Sequence, residues 1–120
     1  MGKKVIIRMK KNKIVATVGR KTVAAMIFGQ PDDASKKRNI NIFELDVLPE
    51  FRRQGIATAM LKFFLKKFTN VTWISFWTGK KLEIDKGFKL YTALGFKEIA
   101  YQADYYEKGV GTRLYVKRVK

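Results

Sequence analysis

"DVLPEFRRQGIATAML", Asp46 to Leu61, is the stretch that decides how the chain is read. A strand-like run breaks at Pro49, passes through Arg52, Arg53, Gln54 and Gly55, and resumes at once with apolar residues at helical spacing. A turn that only reverses the chain has no need of that order. A strand ending at Pro49 before a helix starting near Gly55 presents N–H groups that have no intrahelical acceptor. Those amides and the helix dipole favour an anion, and a glycine lets a phosphate come close to the backbone. Arg52 and Arg53 add charge. The turn lacks the lysine and serine of a nucleoside-triphosphate loop and the glycine pattern of a dinucleotide fold. The same residues therefore also read as a basic strand–helix turn that binds nothing.

Working outward, the residues before the turn read as strands. "KKVIIRM" and "KIVATV" are separated by the turn "KKNK", and "TVAAMIF" follows "GRK". "GQPDDASKKRN" is rich in turn formers and charge and reads as a loop. "INIFELDVL" reads as a long fourth strand. Its apolar parity changes between Ile42 and Phe43, which fits a bulge or a strand covered on both faces. After the turn, Ala57, Met60, Leu61, Phe64, Leu65 and Phe68 recur at helical spacing, with Lys62, Lys66 and Lys67 mainly off that face. "VTWISFW" is a fifth strand. "KKLEIDKGFKLYTALGF" holds a second helix, with Asp85 as its N-cap and Gly95 at its C-terminal end. "FKEIAYQADYY" and "RLYVKRV" close as a hairpin around "EKGVG". This order predicts an α/β (α+β) fold: a mixed, mostly antiparallel sheet with a central β-α-β unit and two main helices, in a single domain over residues 1–120.

Composition narrows the chemistry. The chain has no cysteine and no histidine, which excludes thiolate nucleophiles, cysteine metal sites and the commonest general base. The carboxylates are scattered, and no spacing among them suggests a metal site. No apolar run approaches the ~20 residues of a membrane span, so a soluble, cytoplasmic protein is expected. The charge is the unusual feature. Twenty-six Lys and Arg against ten Asp and Glu leave +16. Residues 1–21 carry eight basic residues and no acid, and "RLYVKRVK" carries four more. Such a balance points to an anionic partner, whether RNA, DNA or an acidic protein face; a merely lysine-rich, solvated surface is the other reading.

The residues also resemble a known family. "V-x-P-x-x-R-x-x-G-I-A", from Val47 to Ala57, resembles the acetyl-CoA-binding motif of the GNAT N-acetyltransferases. "LYTALGF", Leu90 to Phe96, resembles the family's second motif, a helix whose tyrosine is followed four residues later by Gly-Phe. The strand, turn, helix, strand, helix, strand order between them also fits, and the resemblance covers roughly residues 39–100, about half of the chain. The resemblance implies acetyl-CoA as co-substrate. It implies that Leu45, Asp46 and Val47 line the pantetheine arm through their backbone, and that Arg53, Gln54, Gly55, Ile56, Ala57 and Thr58 wrap the pyrophosphate beside Arg52. It implies that Tyr91 sits near the sulfur and protonates the leaving thiolate, which a tyrosine of ordinary pKa can do. An amine attacks the thioester directly, and a backbone N–H of the fourth strand steadies the oxyanion. Taken from the residues alone, Tyr91 is a core tyrosine against Phe88 and Leu94.

The chain departs from the family in three places. Ile84 stands where many members have an asparagine seven residues before the tyrosine, and Gly87 where alanine is usual. No general base is evident: Glu44 and Asp46 are on the fourth strand, the fifth offers only Ser75, and a water is an equal alternative. The family's first two helices have no room in "KKNK", which leaves the acceptor side open and suits a macromolecule. "RRQGIATAML" resembles the family's aminoglycoside acetyltransferases in particular, but a +16 chain repels polycations. The expected function is acetyl transfer to an amine on an anionic or nucleic-acid-associated macromolecule. The alternative is a non-catalytic module of this fold that binds nucleic acid or a protein through its basic surface. Two exposed edge strands leave a homodimer open.

Overall fold

The structure is a computed structural model that describes residues 4–29 and 38–120. They form two compact units, one of residues 4–29 and 42–69, the other of residues 38–41 and 70–120. Most of the loop read in "GQPDDASKKRN" lies outside the described residues.

The first unit opens with an antiparallel meander of β1 (Val5–Lys10), β2 (Lys13–Val18) and β3 (Lys21–Gly29). β-Branched and small residues at alternate positions make these strands, so that Ile14, Ala16, Met26 and Phe28 point to one face and are buried. Only Lys11 and Asn12 separate β1 from β2. No helix stands between them, as the sequence implied. Next to β3 comes β4 (Asn39–Val47), whose last six residues belong to this unit.

The expected break in β4 is present. Ile40 and Ile42 are buried, Phe43 and Glu44 are both exposed, and Leu45 and Val47 are half-buried. Two consecutive exposed residues fit a bulge and not a strand covered on both faces. Phe43, expected on the apolar face, is instead 64% exposed. Its ring lies over Gly29, where an added Cβ would come within 2.9 Å of it.

Helix α1 (Ile56–Lys67) lays Ile56, Met60, Leu61 and Phe64 against the meander, while Lys62, Lys66 and Lys67 stay exposed. Phe28, Phe64 and Phe68 meet with ring centroids 4.9–5.1 Å apart. Burying one such ring is worth about 1.5–3 kcal/mol. Lys66 and Lys67 occupy the last turn, where cations suit the helix dipole.

In the second unit, Asn39–Asn41 of β4 pair in parallel with β5 (Trp73–Trp77). β5 pairs antiparallel with β7 (Val110–Arg118), and β7 with β6 (Lys97–Glu107), which is an edge strand. With α1 between β4 and β5, this is the expected β-α-β unit. The pairings β1–β2, β2–β3, β5–β7 and β6–β7 are antiparallel, so the mixed, mostly antiparallel sheet holds. Phe76 and its register partner Tyr115 stack at 5.4 Å, and Tyr91 and Phe96 close around Phe76.

The second helix does not start after Asp85 as expected, and a short helix forms ahead of it. α2 (Lys80–Asp85) stops at Lys86, which takes a left-handed φ of 53° before Gly87, and α3 (Lys89–Ala93) starts after Phe88. Asp85 is therefore the last residue of α2 and caps nothing. Gly95 does end α3, at φ 95°.

A buried polar network ties α2 to β7. Thr78 Oγ1 donates to Glu83 Oε2 at 2.6 Å and accepts the Arg113 N–H at 2.8 Å. Thr112 and Tyr106 both donate to the Thr78 carbonyl. Arg113 Nε lies 3.2 Å from Glu83 Oε2, near enough for an ion pair, but its N–H finds no well-aligned acceptor. No helix among the described residues is long and apolar enough to cross a membrane.

Candidate functional site

The turn after β4 is built by local bonds. Leu48 N–H donates to Val23 O at 2.9 Å, and residues Pro49–Phe51 form a 3-10 turn closed by Phe51 N–H to Leu48 O. Arg53 and Gly55 then adopt left-handed φ values of 61° and 79°, with Gly55 as the residue before α1. A left-handed residue directly before right-handed helical backbone turns successive N–H groups to one side, an arrangement suited to anions.

Among the described residues, the N–H groups of Arg53, Gln54, Gly55, Ile56, Ala57 and Thr58 have no hydrogen-bond acceptor. The first amide to be taken up is that of Ala59, by Gly55 O at 2.9 Å. Six consecutive free donors at a helix start are what a doubly charged, multi-oxygen group such as pyrophosphate needs. Arg53 is exposed and forms no ion pair among the described residues.

Gly55 is required by its φ and not by crowding, since an added Cβ would meet nothing within 4 Å. Gly55→Ala is therefore expected to cost about 1–2 kcal/mol, the strain of a left-handed alanine, as read by thermal unfolding. A loss well above this would mean that the space around the turn is occupied.

Arg52 behaves differently from its neighbour. Its Nε donates to Val47 O at 2.8 Å and its Nη2 lies 3.8 Å from Asp46 Oδ1. It staples the turn to the end of β4, so much of its guanidinium is committed within the chain. Gln54 Nε2 similarly reaches back to Glu50 O at 3.2 Å. Glu50 is held below the ordinary carboxylate value, first by its own backbone N–H and, against desolvation, by Lys21 at 3.5 Å and by Arg52.

On β4, Leu45 and Val47 are half-buried, while Glu44 and Asp46 are exposed on the alternating positions. Asp46 is shared with Arg52, whereas Glu44 forms no ion pair among the described residues. That leaves Glu44 the freer carboxylate.

Tyr91 belongs to the second unit, on α3. Its ring is buried, with centroids 4.4 Å from Phe76, 6.0 Å from Phe96 and 6.2 Å from Tyr115. These are not the neighbours the helix spacing suggested. The hydroxyl has no hydrogen-bond partner among the described residues, yet it is not sealed from solvent. Burial pushes its pKa up to about 12, so the ordinary value taken from the sequence is corrected. At neutral pH such a phenol is a firm hydrogen-bond donor, and it resists full loss of its proton. Ile84, seven residues earlier, is exposed at the end of α2, and a Cβ at Gly87 would press on Leu82 at 3.2 Å.

One polar pair went unread in the sequence. Asn41 and Ser75 are register partners where β4 meets β5, and Ser75 Oγ donates to Asn41 Oδ1 at 2.6 Å. A polar residue at the same step of two apolar strands was the signal. The bond occupies the Ser75 proton, which counts against Ser75 as a base.

A family model described as "Acetyltransferase (GNAT) domain" matches residues 9–98. No match is found among curated proteins. Among solved structures, the chain is similar to the ribosomal-protein-S18-alanine N-acetyltransferase of Escherichia coli, with TM-score 0.76 and 18% identity over 100% of this chain and 72% of that one. It is similar to Ard1 of Thermoplasma volcanium, with TM-score 0.74 and 20% identity over 91% and 71% of the two chains. A third is a phosphinothricin acetyltransferase of Sinorhizobium meliloti solved with acetyl-CoA, with TM-score 0.75 and 16% identity over 89% and 60%. At these identities the likeness is one of fold.

Proposed function

The chain belongs to the GNAT acetyltransferase family, and we propose that it transfers an acetyl group from acetyl-CoA directly to an amine of an anionic or nucleic-acid-associated macromolecule. The observation that carries the cofactor half of this reading is the run of six unpartnered N–H groups from Arg53 to Thr58. These amides, with the Arg53 side chain, hold the pyrophosphate. Arg52 fixes the turn against β4, and the backbone of Leu45, Asp46 and Val47 lies along the pantetheine arm.

Acetyl-CoA supplies an activated thioester. A C–N bond forms as the C–S bond breaks, the amine gives up a proton and the sulfur ends with one. Tyr91 donates a hydrogen bond to the sulfur as negative charge develops there. Because its own ionisation is opposed by burial, it steadies the thiolate and the proton arrives from solvent. Glu44, or a water leading to bulk, takes the proton from the amine.

The acceptor half rests on charge and on the short N-terminal connection. The chain carries +16, and a two-residue turn stands between β1 and β2. Both support a large, anionic acceptor. The second reading, a binding module without catalysis, is favoured by the high Tyr91 pKa and by Ile84 in place of an asparagine.

The test is to supply acetyl-CoA labelled in the acetyl group to a cell lysate with the purified protein. Label in protein or RNA that depends on added enzyme is the expected result. Label confined to small amines would overturn the macromolecular acceptor, and none at all would favour the binding module.

A further inference from the structure

Among the described residues of the first unit, α1 packs on one face of the β1–β3 meander. The register pairs Val5–Val18, Ile7–Ala16 and Met9–Ile14 share the face against α1, where Ile14 and Ala16 are fully buried. The intervening pairs Ile6–Thr17, Arg8–Val15 and Lys10–Lys13 share the opposite face, which β3 extends with Ala25 opposite Val15 and Ile27 opposite Lys13. Val15 sits on the central strand of the three, where a sheet normally buries its residues most, yet it is only half-buried. Ile6 is 37% exposed.

An aliphatic strip of Ile6, Val15, Ala25 and Ile27 is thus edged by three exposed cations, Arg8, Lys10 and Lys13. None of the three forms an ion pair among the described residues, and residues 4–29 contain no acid. Beside Ile6, Lys4 and the Gly19–Lys21 turn bound an open concavity that adds further positive charge.

We propose that this face docks an acidic amphipathic helix of a protein partner. Three strands present a surface about 10 Å wide, which matches the roughly 10–12 Å diameter of one helix. The occupant needs an apolar stripe for the strip and carboxylates for the cations. A second copy of this chain is a poor fit, because it brings the same +16 charge. Nucleic acid is the weaker fit, because the strip offers no aromatic ring on which a base could stack. The proposal does not depend on the acetyl-transfer reading.

The full-length protein with labelled methyl groups is titrated with a synthetic helix of about three turns, bearing leucines on one face and glutamates on its flanks. Micromolar binding that shifts the Ile6, Val15 and Ile27 methyl resonances and leaves Ile14 unmoved is the expected result. Arg8→Glu with Lys13→Glu should weaken binding about tenfold or more. Ile6→Ser, at an exposed edge position, should weaken it several-fold, with circular dichroism confirming the fold of each variant. Equal binding by a shuffled peptide of the same composition would overturn the proposal, as would no methyl shift at millimolar peptide. A single-stranded RNA that moves the same methyls at lower concentration would also overturn it and give the face to nucleic acid.

Discussion

Tyr91→Phe is expected to slow acetyl transfer about a hundredfold while leaving affinity for acetyl-CoA within a factor of about three. The hydroxyl is the only polar atom of the Tyr91 side chain and has no hydrogen-bond partner among the described residues. Its loss therefore strips nothing from the fold, and stability near neutral pH should be unchanged. Initial rates of label incorporation measure the effect, and a rate within twofold of the parent would remove Tyr91 from the chemistry.

The same substitution carries a pH signature. Burial raises the folded-state pKa of Tyr91 to about 12 from the ordinary tyrosine value of 10.0. The folded protein thus keeps a proton that the unfolded chain releases, so the associated stability is present below pH 10 and is lost as pH rises toward 12. Two pKa units correspond to roughly 3 kcal/mol. Lysines also discharge in this window, so the comparison is between the parent and Tyr91→Phe. The variant should lose stability less steeply from pH 10 to 12, as read by urea unfolding at each pH. Parallel curves would show that water reaches the phenol freely.

Glu83→Ala is expected to cost about 3 kcal/mol of stability, the lower end of what breaking a buried ion pair costs. The Glu83 side chain is only 5% exposed and accepts the Thr78 hydroxyl while facing Arg113. Its removal leaves the Thr78 hydroxyl only the long contact to Thr112 Oγ1, at 3.4 Å, and part of the Arg113 charge uncompensated. Arg113 retains Glu98 at 3.4 Å and lies over Phe88 and Tyr101, which keeps the loss from growing further. Glu83→Gln, which can still accept from Thr78, should fall between the two. A loss below about 1 kcal/mol for Glu83→Ala would mean that solvent already screens the pair.

The parts of the fold that were legible in the sequence are those set by periodicity. Ile14, Ala16 and Val18 alternate cleanly, and β2 forms where they stand. Met60, Leu61 and Phe64 recur at helical spacing with lysines opposite, and α1 buries them. The turn from Pro49 to Gly55 was legible because a proline ends the strand and a glycine stands directly before the apolar helical spacing, where the backbone takes a left-handed φ.

What was not legible depends on contacts between distant residues or on backbone angles. Nothing in "DKGF" says that Lys86 will take a left-handed φ, so that one short helix ends before it and the next starts only after Phe88. Arg52 and Arg53 look alike in sequence, and only the position of the Val47 carbonyl makes one a staple and leaves the other free. Glu83 and Arg113 are thirty positions apart, and their pairing follows from how α2 meets β7. The Tyr91 pKa follows from the rings of Phe76, Phe96 and Tyr115, which helix spacing did not bring together.

The central claim is that the Arg53–Thr58 amides hold the pyrophosphate of acetyl-CoA, and calorimetric titration of the cofactor-stripped protein tests it most directly. Micromolar binding of acetyl-CoA, matched by desulfo-CoA and weakened at least about a hundredfold for acetyl-pantetheine, which lacks the pyrophosphate, is the predicted result. No heat at millimolar acetyl-CoA, or equal affinity for acetyl-pantetheine, would contradict it.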